Sequence, residues 1–457
     1  MEVLVMAAQL ILGLSILVGL HELGHLLTAK LFGMKVEQYS IGFPPKIFGF
    51  KYGETEYSLG AIPLGGFVKI TGMIDESLDT DYLNKEPQPW EFRAKPAWQR
   101  LIVMMGGIIV NVITGIVIFI ILLLIFGRSY LPASEAKYGI VAYDAAQEIG
   151  LRTGDKILEI NGKPYKDFYA VSGKEVMFTP DSYYIVERNG QTMRIDIPAN
   201  LIEKLSDKRE FVEPRMPFVI DSVIAYRPPT GLQKLLVSLG LSQKPERMPA
   251  EKAGLQSGDK VISLNGKPIA FYDEFQEGVQ KFKNKEISLG VVRGADTLYK
   301  KIPLTAEGTM GVYPVRPFKL EDVDYTLGMA LKEGPAMAFG VVRDNIKAFG
   351  KIFRREVSFS KSMSGPLGIA KLYGGIWNWE RFWSLTALLS MILAFMNFLP
   401  IPALDGGHVM FLTYEMISGR SPSEKFLEVA QKVGMVILLG LMVFAFFNDI
   451  FKSFFQS

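Results

Sequence analysis

Val3 to Leu20 runs without a charged side chain, and nothing else in the sequence limits the fold so strongly. A helix of about 20 apolar residues is long enough to cross a bilayer, and lipid tolerates only backbones whose polar groups are satisfied internally. The run therefore predicts a membrane helix. A secretory signal peptide is the other reading, but such peptides begin with positive charge and end in small residues before a cleavage point. This run opens Met1-Glu2 and passes straight into His21-Glu22-Leu23-Gly24-His25. Further apolar runs lie at Leu101 to Phe126, at about Leu385 to Leu399 and at about Val433 to Phe447. The last two are short for a span, and Trp383 and Phe451 can extend them at the interfaces.

Lys and Arg near helix ends set orientation. Lys30 and Lys35 stand at one end of the first connection, with Arg93, Lys95 and Arg100 at the other. The far ends of the same helices carry only Arg128 and Lys137. Residues 30–100 are expected to face the cytoplasm, with both termini and residues 130–380 outside. The net charge of +3 over 457 residues leaves no basic stripe for nucleic acid. With no cysteine in the chain, the fold needs no disulfide and a metal must be held by His and carboxylate.

The cytoplasmic stretch has its own pattern. Lys46 to Tyr52, a Gly53-Glu54 turn and Thr55 to Ser58 read as a hairpin. Ala61 to Lys69 follows as another strand broken by glycine. An apolar hairpin can re-enter a bilayer where protein or water covers its backbone. Its edge near Gly65-Gly66-Phe67 could take an opened substrate chain by strand addition.

The outer region carries a repeat. Gly150-Leu151-Arg152-Thr153-Gly154-Asp155, a short apolar strand and Asn161-Gly162-Lys163-Pro164 recur as Gly254-Leu255-Gln256-Ser257-Gly258-Asp259, a second strand and Asn265-Gly266-Lys267-Pro268. Helix end, Gly-Asp turn, buried strand and Asn-Gly turn recur in one order, and that pattern resembles PDZ domains. Tyr226 to Met248 reads as an insert, a loop or a membrane-touching helix. From Asp324 to Gly375, helical periodicity at Ala336 to Phe353 and a break at Ser364 to Gly368 suggest a segment along the outer membrane surface.

The chemistry concentrates in the first helix. Positions i and i+4 share a helix face, so His21 and His25 can chelate one metal while Glu22 activates water. Nitrogen and oxygen ligands without thiol fit catalytic zinc. The bland reading is a pair of polar residues closing a membrane helix, but ionisable groups at membrane depth default to function. A third ligand is sought in Asn397-Phe398-Leu399-Pro400-Ile401-Pro402-Ala403-Leu404-Asp405-Gly406-Gly407-His408, where two prolines break the third helix. Asp405 would supply a carboxylate there and His408 is the rival ligand, while Asp405 also reads as a turn aspartate before Gly-Gly.

These features together resemble the site-2 protease family of M50-type intramembrane zinc metalloproteases, and within it the bacterial sigma-E regulators with tandem PDZ domains. The resemblance covers nearly the whole chain. It implies that Asp405 completes the zinc site, that Asn397 contacts substrate backbone, and that the Gly107 to Asn111 element packs near the active site. It implies transmembrane substrates, an anti-sigma factor after a first cut and signal-peptide remnants, in a bacterial inner membrane. PDZ domains would then filter access.

The expected fold is a multi-pass α-helical membrane protein with four transmembrane helices, a membrane-associated β-hairpin region and two periplasmic PDZ (α+β) domains. The expected division is residues 1–30, 31–100 and 101–127 for first helix, hairpin region and second helix, then 128–225 and 226–318 for the PDZ pair. Residues 319–380 form the surface segment and 381–457 the last two helices. The expected site comprises catalytic Glu22, metal ligands His21, His25 and Asp405, and substrate-binding Asn397, Gly65, Gly66 and Phe67, with one zinc ion, membrane lipid around it and no nucleic-acid partner. The competing reading is a non-catalytic PDZ scaffold, which would have no use for Glu22. A metal transporter would want ionisable residues along its helices, and outside the motifs these offer almost none.

Overall fold

The computed structural model describes residues 2–73, 86–201, 205, 210–226, 247–358, 360 and 364–455. The insert expected at Tyr226 to Met248 lies outside them except at its ends. The chain divides into two units, Met1–Arg128 with Asp322–Ser457, and Ser129–Glu321.

The first unit is mainly helical. Its helices are α1 (Glu2–Leu31), α2 (Ala97–Phe126), α3 (Leu327–Phe353), α4 (Pro366–Tyr373), α5 (Trp379–Phe398), α6 (Asp405–Ser418) and α7 (Glu424–Phe455). Among the described residues four helices are long and apolar enough to cross a membrane: α1, α2, α5 and Glu424–Phe451 of α7. They match the four apolar runs of the sequence, except that Leu399 caps α5 from outside, and extend before or beyond them into polar ends.

α1 and α2 cross backbone to backbone. A Cβ at Gly24 would lie 2.3 Å from the Gly106 carbonyl oxygen, and one at Gly106 would lie 2.6 Å from that of Gly24. In lipid no hydrophobic force draws helices together, so small residues supply close contact instead. α3 begins earlier than its periodicity suggests, capped by the Thr326 hydroxyl accepting from the Met329 amide. It runs through Pro335. Neighbouring helices compensate for a proline's missing N–H in such settings, and α3 has them: buried Ala338 packs with Ile118 and Phe119 of α2 and with Ala387 and Met391 of α5. The Phe349 and Phe395 rings lie 5.6 Å apart. α5 stops at Phe398 and the chain resumes as α6 at Asp405, so the proline-rich break falls where the sequence places it.

Between α1 and α2, β1 (Val36–Tyr52) and β2 (Thr55–Ile70) join through the Gly53-Glu54 turn. Both strands fold back on themselves. Tyr39 pairs with Val68 on one side and with Tyr57 on the other, while Tyr57 also pairs with Phe50. The result is four runs in the order 66–70, 36–41, 55–59, 48–52. Residues 66–70 form an end run, and no described strand pairs with its outward edge.

The second unit holds one arrangement twice. β3 (Lys156–Ile160), β4 (Lys163–Pro164), β5 (Tyr183–Arg188) and β6 (Gln191–Asp196) form a sheet in the order β4-β3-β5-β6. β7 (Lys260–Leu264), β8 (Lys267–Pro268), β9 (Glu286–Arg293) and β10 (Asp296–Pro303) repeat it as β8-β7-β9-β10. Asn161 and Gly162 have φ 53° and 74°, and Asn265 and Gly266 have φ 50° and 78°, the left-handed pairs that a two-residue hairpin turn requires. Buried Asp155 receives Arg188 Nε at 2.7 Å, and Arg188 also donates to the Gly150 carbonyl at 2.7 Å. Buried Asp259 receives Arg293 Nε at 2.6 Å, and Arg293 donates to the Gly254 carbonyl at 2.9 Å. Arg293's hydrogen bonds hold the Asp259 carboxyl below the usual carboxylate range against the opposing effect of burial. Each sheet has its own apolar core, one including Tyr184 and Val186, the other Phe218, Leu289 and Val291.

Candidate active site

His21 and His25 lie on one face of α1, as their spacing dictates, and both are buried. Asp405 opens α6 directly after the break, where the loop carries Ala403 at φ 74°, a conformation that costs a side-chain-bearing residue energy. The loop thereby brings the carboxylate to the histidines. His21 Nε2 is 3.2 Å from Asp405 Oδ2, His25 Nε2 is 3.4 Å from it, and the two Nε2 atoms are 3.3 Å apart. Among the described residues these three side chains form the one cluster spaced to hold a metal. His408 lines the same cavity but stands outside the cluster.

The donor set can be tested against zinc. Ligand atoms about 2.0–2.1 Å from a tetrahedral zinc lie about 3.3–3.4 Å from one another. The three separations match that edge length. The Val103 carbonyl lies 2.8 Å from His25 Nδ1. A carbonyl only accepts, so the proton sits on Nδ1 and Nε2 keeps its lone pair. Asp405 Oδ2 is buried with no hydrogen-bond partner. Three ligand atoms thus converge in a buried site, one of them a carboxylate oxygen with no hydrogen-bond partner, an arrangement that suits a cation.

The walls of the site come from several elements. A cavity of 390 Å³ is lined by Glu22 beside the histidines, Gly65 and Gly66 from β2, Asn397 from the end of α5, and Gln431 and Met435 from α7. Asn397 Nδ2 lies 3.2 Å from His21 Nε2. A Cβ at Gly66 would meet Val18 Cγ1 at 2.6 Å and Glu22 Cγ at 3.2 Å, so β2 runs against α1 at the level of the glutamate. Phe67 pairs with Ser40 in the sheet and is not among the cavity's lining residues. α2 supplies no metal-ligand candidate but crowds both rings: a Cβ at Gly107 would lie 2.5 Å from His21 Cε1 and 2.5 Å from His25 Nε2. The Val103 carbonyl escaped sequence reasoning because a backbone acceptor has no side-chain signature.

The model of peptidase family M50 matches residues 9–441. The chain belongs to that family. M50 relatives span its length. A Neisseria meningitidis protein whose name carries the words zinc metalloprotease is 30% identical, covering 96% of this chain and 97% of the relative. The regulator of sigma E protease of Haemophilus influenzae is 29% identical over 97% of this chain and 98% of its own. Protease RseP of Yersinia pestis is 28% identical over 98% and 99%. This M50 chain is a zinc metalloprotease, and with four apolar helices an intramembrane one. A purely non-catalytic scaffold is thereby set aside.

Proposed function

We propose that this protease cuts transmembrane segments of membrane proteins, with His21, His25 and Asp405 holding zinc and Glu22 acting as general base. The observation that carries the assignment is the meeting of the three ligand atoms at zinc-like spacing in a cavity that Glu22 also lines. When bound, zinc supplies positive charge that polarises a peptide carbonyl and acidifies water. The Glu22 carboxylate takes the proton of the attacking water and returns it to the leaving amide nitrogen. Asn397 and Gly65-Gly66 bind substrate backbone. A membrane helix hides its peptide bonds, so the substrate must open, and the outward edge of residues 66–70 offers backbone groups to an extended chain. Phe67, at the same edge, takes part through its backbone.

The doubled sheet of residues 129–321 is read as a pair of periplasmic PDZ domains that filter substrates by the size of their outer part. The strand order, the Asn-Gly turns and the paired Asp–Arg clamps support this reading. The charge bias of the loops supports an inner-membrane placement with the site towards the cytoplasm. The names of the sigma-E regulators among its relatives support an anti-sigma factor as substrate; signal-peptide remnants are a second class implied only by the resemblance to site-2 proteases.

The test is a Glu22→Gln variant assayed on a membrane-spanning reporter. Cleavage is expected to fall by about 10²–10⁴-fold while zinc stays bound. Wild-type cleavage by this variant would remove Glu22 from the chemistry. Zinc analysis of His21, His25 and Asp405 alanine variants should show loss of metal, and His408→Ala should retain it.

A further inference from the structure

We propose that Asn111 is a positioning residue for His21, its side-chain carbonyl accepting the Nδ1–H so that the Nε2 lone pair faces the metal position. The proposal rests on reading His21 as a ligand. Asn111 stands on α2 with 1% of its surface exposed. Its Nδ2 lies 3.2 Å from His21 Nδ1, while its Oδ1 is buried with no hydrogen-bond partner. The two ends of an amide have nearly the same shape, so only hydrogen bonding decides which faces the ring. A neutral imidazole has one N–H and one lone pair. With Nδ2 facing the ring, Nδ1 must hold the lone pair, and the proton falls on Nε2, between His21 and Asp405. Turning the amide end for end brings Oδ1 to Nδ1, moves the proton there and frees Nε2.

His25 shows the same arrangement already made. Its Nδ1 donates to the Val103 carbonyl at 2.8 Å. Val103, Gly107 and Asn111 recur at every fourth residue of α2, so one face of that helix serves both rings. The Asn111 backbone is fixed in turn, since fully buried Ser390 of α5 donates its hydroxyl to the Asn111 carbonyl at 2.7 Å. A helix carrying no ligand candidate thus sets the tautomer of two.

The experiment compares Asn111→Asp, Asn111→Leu, Ser390→Ala and His21→Ala in the full chain in detergent, with zinc affinity read by chelator competition and the visible spectrum read after cobalt(II) substitution. Asn111→Leu keeps the volume and removes the acceptor; its zinc affinity should fall about 10–100-fold, with an altered cobalt spectrum. Asn111→Asp keeps an acceptor and should bind zinc at least as tightly as wild type. Ser390→Ala, which loosens the anchor of the Asn111 backbone but leaves the side-chain acceptor, should lower affinity by less than Asn111→Leu does. Wild-type affinity in Asn111→Leu overturns the proposal, and so does an Asn111→Asp variant as weak as Asn111→Leu. If Asn111→Leu does not fold, Asn111→Ala carries the same comparison. Wild-type affinity in His21→Ala is a separate failure, of the ligand reading itself.

Discussion

A methyl group on Gly107 has nowhere to go. Its carbon would press on both imidazoles at 2.5 Å, and both rings are also held by Asp405, His21 by Asn397 as well. Gly107→Ala is therefore expected to displace the histidines and lower proteolysis by roughly 10²-fold, the cost of a misplacement of about 1 Å in a catalytic group. Zinc content and reporter cleavage measured together check it, and full activity with full zinc would show that the rings have more room. Much of the site is readable at this scale. His21, Glu22 and His25 announce themselves by spacing, because a helix converts i and i+4 into one face. Asp405 could be ranked above His408 only by resemblance, since a turn aspartate before Gly-Gly looks the same in sequence whether or not it meets a metal. The contacts made by α2 are harder still: Val103 contributes through its backbone, and Gly107 through the side chain it lacks.

At the scale of elements, the Asp259–Arg293 clamp of the second unit makes a pH prediction. Asp259 has its folded-state pKa lowered by Arg293. A lowered carboxylate pKa adds stability above the unfolded value of about 3.9, and that stability is lost as pH falls through the lower folded value. The sheet of β7 to β10 should therefore loosen on acidification below about pH 4, and Asp259→Asn should abolish that part of the dependence while weakening the sheet at neutral pH. Hydrogen exchange at the β9 amides of the intact protein measures both, and a variant with unchanged pH dependence would assign the loss to other groups. The sequence makes these elements legible for a local reason. Gly-Asp and Asn-Gly turns act over four residues, and the repeat shows them twice. The folding of β1 and β2 back on themselves is not legible, because the partners of Tyr39 lie on both sides of it and the pairing is decided in space. The start of α3 is hidden for a similar reason. The periodicity begins only at Ala336, after Pro335, yet packing on α2 and α5 carries the helix through the proline.

At the scale of the whole molecule, apolar runs of membrane-spanning length identify the four spans without reference to tertiary contacts. The proposed filter belongs here as well. Deleting residues 131–315 should allow the protease to cut intact substrate that the full chain leaves alone, as seen by immunoblot of an untrimmed reporter; continued rejection by an active deletion protein would dismiss the filter. The end run of the β1–β2 sheet has a further bearing on how molecules meet. An open strand edge is a template for neighbouring chains, and soluble proteins that expose one risk fibrils. Fibril growth needs stacked sheets as well as extended edges. Here Gly66 lies on Val18 and Glu22, and Ile41 and Tyr39 lie on Gly19, so α1 covers the sheet at residues 36–41 and 66–70. Stacking is hindered where α1 lies on the sheet, and the proposed strand addition at this edge would not by itself start a polymer.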